Sequence, residues 1–445
     1  MIASKLNMIK AAIILLSGYL LAPTAYALPQ INTWETDNGV KVLFVHAPEL
    51  PIIDLALTFD AGSARDGDKP GLSSMMHGLL DKGTGKLNAD DVASKFEDVG
   101  AQFGVSVDLD RSSSTLRSLS ERELFDAALD TFIQVVTKPS FPERDFDREK
   151  KRVLISLEDS EQRPGDIVSR TFFQMLYQQH PYAAPGMGTK ESVDKITRTD
   201  IEHFHAKHIV AANTVLAIVG DVSEKNAQAI ANKISQALKQ GKKHNKIARI
   251  ESSSEAKKLV DFPSQQAHVR MGQIGIQRGH PDYFNLYVGN HVLGGGGFTS
   301  RLMKEVRSKR GLSYSVYSYF LPYRQQGPFM LGLQTRNDQV TEAVEVCRQV
   351  LSDFIENGPN QEELTLSKNN IINGFPLRVD SNKDLLGYLS LIGYYDLPLT
   401  YLDDFINNIE QVTLDDVKQA YKKHLDLDSF VTVVVGSEQA AEEGA

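Results

Sequence analysis

The sequence predicts an α+β protein built from two homologous α/β-sandwich halves. Three observations carry this. Period-2 and period-3.6 stretches of apolar residues interleave along the whole chain, so strands and helices alternate rather than segregate. TRTDIEHFHAKHIVAANTVLAIVGDV (197–222) aligns without gaps on TLDDVKQAYKKHLDLDSFVTVVVGSE (413–438), with Thr197 on Thr413, Asp200 on Asp416, His208 on His424 and Gly220 on Gly436. Each copy reads as a Thr-capped helix, a turn and a β-branched strand ending at glycine, the mark of an internal duplication. Between the copies lies a polar, charged stretch, 239–258, nearly free of core-type residues.

In chain order, 31–60 alternates as strands around the Asp37-Asn38-Gly39 turn, with Trp34 read as core. Helical periodicity follows over 71–82, 88–99 and 121–137, the second opening at Asn88 with Asp90 and Asp91 in its first turn. Strand alternation returns over 101–120, and 143–161 is a Glu-rich helix. The expected boundaries are a leader over 1–27, a first domain over 28–238, a linker over 239–258 and a second domain over 259–445. The linker's Lys-rich run reads as a solvated connection rather than a docking patch for an acidic partner.

The chain has 445 residues and a net charge of −9. It is long enough for two cores, and its acidic balance argues against a nucleic-acid partner, whose phosphates call for a basic face. Lys5 and Lys10 precede the apolar run 11–22, which ends in Ala25-Tyr26-Ala27. This is the pattern of a secretory signal peptide cleaved after Ala27, so a periplasmic or secreted protein is expected, with no membrane span after cleavage. The single cysteine, Cys347, sits in a helical pattern and reads as a small buried apolar residue.

The stretch GLSSMMHGLLDKGT (71–84) is a small-residue turn, an amphipathic helix and a Lys-Gly stop. An inverted zinc-peptidase motif, H-x-x-E-H, sits naturally on such a frame, two imidazoles gripping zinc and the glutamate activating its water. The corresponding positions here are Ser74, His77 and Gly78, so one imidazole stands where two are needed and no metal is expected on this chain. The run 59–84 nevertheless resembles the pitrilysin/insulinase-type zinc peptidases, which include the mitochondrial processing peptidase, in Gly71, Leu72, Leu80, Lys82, Gly83 and Thr84. The resemblance continues through HPYAAPGMGT (180–189) and the 261–297 run with its R-x-H-P-D-Y and glycine cluster. It implies a duplicated, metallopeptidase-like half of a clam shell. It also implies a second glutamate ligand about 75 residues on; near that point stand Ile155 and Ser156, with Glu149 and Glu158 close by.

Gly294, Gly295, Gly296 and Gly297 read as a flexible loop before a helix capped at Thr299 or Ser300 and stopped at Gly311, with a Tyr-rich strand beyond. No Gly-Lys-Ser/Thr closes the run, so it is not a phosphate loop. Arg307 in the last helical turn and Tyr314 on the following strand, seven residues later, match the family's arginine–tyrosine pair, and the resemblance implies that they reach the substrate carbonyl at a zinc held by another subunit. A guanidinium and a phenol both donate to an oxygen gaining negative charge. The four glycines look like a short version of a substrate-binding loop, with a plain hinge as the equal alternative. Arg301, Lys304, Lys309 and Arg310 read as a solvated face.

His203, His205 and His208 share a helix but lack a completing carboxylate or cysteine, and His180 and His280 read as turn residues before proline. No serine-triad motif is present. The leading expectation is therefore the non-zinc, substrate-binding subunit of an exported heteromeric zinc peptidase, inactive alone. It would bind no cofactor itself, its homologous partner carrying H-x-x-E-H and the zinc. The alternatives are an inert scaffold or peptide-binding protein of the same descent, and an independent metalloenzyme using His77 with other ligands.

Overall fold

The repeated strand is the centre of each half. In the computed structural model, which describes residues 30–250 and 254–437, the first half carries β1 (Asn32–Glu35), β2 (Lys41–His46), β3 (Ile52–Phe59), the short pair β4 (Gly83–Thr84) and β5 (Leu87–Asn88), then β6 (Gln102–Val107), β7 (Ser112–Leu119) and β8 (Thr214–Gly220). The second carries β9 (Ala256–Asp261), β10 (Gln266–Ile274), β11 (Val316–Phe320), β12 (Pro328–Arg336) and β13 (Val431–Gly436). The expected leader lies outside the described residues. No helix among the described residues is long and apolar enough to cross a membrane.

The two main sheets run β1-β2-β8-β3-β7-β6 and β11-β12-β10-β13-β9. In the first, β2 and β8 are parallel and the other neighbours antiparallel; in the second, β9 and β13 are parallel and the rest antiparallel. The orders superimpose as β2/β9, β8/β13, β3/β10, β7/β12 and β6/β11, with β1 an extra edge strand. β8 and β13, TVLAIVG and VTVVVG, are buried along their whole length. Flanked by strands and covered by helices, such a strand reads as a continuous apolar run instead of an alternation. Both end on glycine because the neighbouring strand comes close: a Cβ at Gly220 would sit 2.1 Å from the Ile52 carbonyl oxygen, and one at Gly436 would sit 2.9 Å from the Ala267 Cβ.

The repeated helices, Arg198–His208 and Leu414–His424, start as expected, each with a capping box, Thr197 with Asp200 and Thr413 with Asp416. The helix Ala89–Glu97 starts with an Asn88/Asp91 box. Trp34 is partly buried on the edge strand, edge-on to Phe44. Cys347 is fully buried, which pushes its thiol up to about 12.

The halves exchange helices. Asn382–Tyr395 of the second half lies on the first sheet, so closely that a Cβ on Gly393 would meet Val215 at 2.4 Å and Leu43 at 2.7 Å. Pro164–Tyr177 of the first half lies on the second sheet, where Phe172 faces Gly272 and Ser169 accepts a 2.9 Å bond from Arg270. A core of Ile167, Val168, Phe172, Leu176, Val431, Val433 and Val435 results, drawn from both halves. The connecting segment is not solvated along its length: Ile247 is buried, and β9 begins inside the stretch read as linker.

Asp110 locks this arrangement. It is fully buried and accepts bonds from the Tyr182 hydroxyl, the Tyr395 hydroxyl at 2.8 Å and the Arg324 backbone N–H at 2.7 Å. The Tyr394 hydroxyl donates to its backbone carbonyl at 2.7 Å. Burial pushes the Asp110 pKa up, and these donors oppose the shift. Asp110→Ala leaves three buried donors without an acceptor, so the variant should lose about 3 kcal/mol or more of stability. Urea unfolding of the full chain measures this; a loss below about 1 kcal/mol would show that the carboxylate does not hold the halves.

Candidate functional site

The helix at the expected zinc position is Leu72–Gly78, opened by Gly71 with φ +98°. Asp66 caps it from outside, its carboxylate accepting from the N–H groups of Gly71 at 2.7 Å and Ser73 at 2.8 Å. Met75, Met76, Leu79 and Leu80 anchor it in the first core. Ser74 Oγ donates to the Gly186 carbonyl at 2.7 Å. His77 is 1% exposed and its Nδ1–H donates to the Ser73 carbonyl at 2.9 Å, while Nε2 finds no partner among the described residues. Burial pushes the His77 pKa down to about 4.

Gly78 is where a second imidazole would be needed. A Cβ there would meet Glu149 Oε1 at 3.0 Å. Glu149 is buried on the Glu143–Ser160 helix and held in a fork by Arg152, with Nε donating to Oε2 at 2.9 Å. Ile155 is 60% exposed and Ser156 half-buried one turn and more along. The donor set is therefore a hydroxyl bound to a carbonyl, one imidazole and a carboxylate engaged by a guanidinium. These residues do not fit a catalytic zinc.

The second candidate differs from the sequence reading in two ways. The glycine run is not a free loop: the Tyr283–Asn290 helix continues into a π turn, His291–Gly295, and Gly297–Thr299 forms a tight 3-10 turn. Gly294 and Gly295 pack against Ser318 and Asn290, where a Cβ would stand 2.4 and 2.7 Å from side-chain atoms. Tyr314 is not on a strand; it precedes β11 in the loop after Gly311. Ser300 is the cap, accepting at 3.4 Å from the Met303 N–H.

The structure does bring Arg307 and Tyr314 together. The guanidinium carbon lies 4.4 Å from the Tyr314 ring centroid and 4.9 Å from that of Phe298, between two rings that are 81% and 71% exposed. Arg301 forks onto Glu363, and Lys309 and Arg310 both bind Glu305, so these are not a merely solvated face. Arg307 has no hydrogen bond to its side chain and no ion pair among the described residues. The cavity beside Ser74 and the cavity beside Gly294 share no lining residue. Phe298 was not legible as a partner because it stands nine positions from Arg307 across a turn; its only signal was an apolar ring directly after a glycine run.

The remaining histidines serve the fold. His205 bonds the Val136 carbonyl at 2.8 Å, and His208 stacks on Phe204 with centroids 4.2 Å apart. The rings of His180 and His280 accept from the N–H two residues on, each at 3.1 Å, as turn residues do. The sequence reading missed that His280, Asp282 and His424 converge. Lys423 donates at 2.8 Å to the same Asp282 oxygen that His424 binds at 2.7 Å, so a side-chain cation already satisfies that carboxylate.

A duplicated α/β sandwich whose zinc-peptidase helix carries serine and glycine for its ligands defines a metallopeptidase homologue without the metal-binding side chains. Comparison with known proteins agrees. Residues 41–190 match the model described as insulinase (peptidase family M16), and 195–371 match that of the peptidase M16 inactive domain. A peptidase M16 inactive domain of Pseudomonas fluorescens, of known crystal structure, is 40% identical, with a TM-score of 0.89 over 92% of this chain and 98% of its own. The non-peptidase homolog YmxG of Helicobacter pylori is 28% identical over 97% of this chain and 99% of its own length. An uncharacterized zinc protease YmxG of Bacillus subtilis is 25% identical over 87% and 94%. The chain belongs to the peptidase M16, or insulinase, family.

The buried His77 gives this site a measurable signature. Its folded pKa of about 4 lies below the unfolded value, so the unfolded chain binds the proton over pH 4 to 6.5. Stability is fully present above pH 6.5 and is lost as pH falls through 4, by about 3 kcal/mol from this residue. The stability of His77→Leu should fall less steeply across that window than the wild type's. Parallel slopes would place the proton uptake elsewhere.

Proposed function

We propose that this chain is the non-zinc subunit of an exported heteromeric peptidase. It works with a homologous partner that carries H-x-x-E-H and the zinc. Arg307 and Tyr314 then donate to the peptide carbonyl oxygen as it gains charge, in a site the two chains complete together. The observation that carries this reading is the Arg307 guanidinium. It is positioned by two exposed rings, uncommitted to any carboxylate among the described residues, on a helix whose other arginines are paired. The packed Gly294 and Gly295 fix the turn that sets Phe298 beside it, and the turn's outer residues Gly296 and Gly297 are the ones left to contact substrate. The apolar stretch ending at Ala27 supports export to the periplasm.

A second reading is an inert scaffold or peptide-binding protein of the same descent. It is favoured by the Helicobacter pylori relative, which is described as a non-peptidase homolog.

The purified chain alone should show no peptidase activity, and activity should appear on mixing with its zinc-bearing partner. In that mixture, Arg307→Ala and Tyr314→Phe should each lower turnover roughly tenfold or more, with assembly on size exclusion unchanged. Normal turnover in both variants would remove the assigned role and leave the scaffold reading. Chelator-sensitive cleavage by the chain alone would remove both readings.

A further inference from the structure

A cavity of about 580 Å³ lies where the connecting segment meets the first half, and its charged lining is entirely basic. Arg65, Lys207, Lys242 and Lys243 line it together with His208 and His244, and no carboxylate is among the lining residues. The nearby Asp60 neutralises only part of this. Its oxygens hold Arg65 at 3.0 and 2.6 Å and lie 3.6 Å from His244 Nδ1. Lys207, Lys242 and Lys243 have no ion pair among the described residues. On a chain of net charge −9, three unpaired ammonium groups around one concavity run against the overall field.

The backbone that carries two of these lysines is held in place. Lys242 and Lys243 belong to the connecting segment, where a free chain would leave them mobile. Instead the buried Asn213 side chain donates to the Lys242 carbonyl at 3.1 Å and accepts from the His244 N–H at 3.0 Å. The His244 ring meets the Asp60 carbonyl at 3.1 Å and packs edge-on against His208 with centroids 4.5 Å apart. Just before, the N–H groups of Ala211 and Ala212 donate to the carbonyls of Lys239 and Gln240. Backbone order lowers the entropy a ligand must overcome to gather these charges. His208, 2% exposed, keeps Nδ1 without a partner among the described residues. Burial, then the adjacent His244 and Lys207, push its pKa down to about 3.

We infer that this cavity binds a small, multiply charged oxyanion of the phosphate class. Ammonium groups supply the charge and donors such an anion needs, and the concave shape admits it beside the imidazoles. The site owes nothing to the peptidase reading.

The test is calorimetric titration of the full purified chain with pyrophosphate, at low ionic strength. Saturable binding at one site is expected. Lys242→Ala and Lys243→Ala should each weaken it roughly tenfold, while Lys383→Ala, an exposed lysine outside the cavity, should leave it unchanged. Ring resonances of His208 and His244 should move with the same saturation curve. Absence of binding, or equal weakening by all three variants, overturns the proposal. So does binding of hexaglutamate without binding of pyrophosphate, which would make the patch a surface for acidic chains.

Discussion

One buried carboxylate determines what this molecule can do as a body. Asp110 stands at the end of the β6–β7 turn in the first half, and two of its three side-chain donors come from the second. Around it Arg324 lies over Tyr394 at 4.3 Å, and Arg111 lies 5.9 and 5.7 Å from the rings of Tyr394 and Tyr395. The charge is thus satisfied by hydroxyls and an amide rather than by a salt bridge, and two guanidiniums offset it from a distance. Relative rotation of the halves would strip donors from a desolvated carboxylate and tear each exchanged helix from the other half's sheet. The two halves therefore move as one plate. Under the proposed two-chain reading, any opening of the chamber would then occur between chains and not within this one.

The same constraint explains which parts of the fold were legible in the sequence. The repeat at 197–222 and 413–438 revealed the duplication because its strand is buried on both faces, so every position records the same apolar demand. Thr197 and Thr413 were readable as caps because capping is local chemistry between neighbours three residues apart. Helix exchange was not readable. Pro164–Tyr177 carries an ordinary amphipathic pattern, and nothing in that pattern says whose sheet the apolar face meets. The linker misled for a related reason. Its composition is that of a solvated chain, but its backbone is held by Asn213, a residue that precedes it by nearly thirty positions. The glycine cluster misled in turn, since glycine permits both flexibility and close packing, and here Gly294 and Gly295 are present for the packing.

The altered zinc helix shows how a metal site can vanish without unsettling its frame. Leu72–Gly78 is held by Met75, Met76 and Leu79 in the core and by Asp66 at its start, none of which depends on a metal. With glycine at position 78, Glu149 Oε1 comes to 3.0 Å from where a Cβ would stand, and the Arg152 guanidinium satisfies that carboxylate in place of a metal ion. His77 is then a core residue with one hydrogen bond, neutral because burial disfavours its charged form. Structure and stability here are decoupled from catalysis, so selection for the fold alone would keep this helix intact.

Arg307 cannot be explained in the same way. An arginine at a helix end gains from the helix dipole wherever its side chain points, and the nearby Glu305 already accepts from two cations. A fold-maintaining role would be served by a buried contact or an ion pair, as Arg301 achieves with Glu363. Instead Arg307 is flanked by Phe298 and Tyr314, both of which leave most of their surface in water. Exposing two large rings carries an association risk and stabilises the isolated chain little, since a solvent-exposed cation–π contact contributes only about 0.5 to 1 kcal/mol. That arrangement makes physical sense when the rings and the guanidinium are covered by something else. Of the two candidate sites, the zinc helix is content by itself, and the arginine pair is the one that calls for a partner or a substrate.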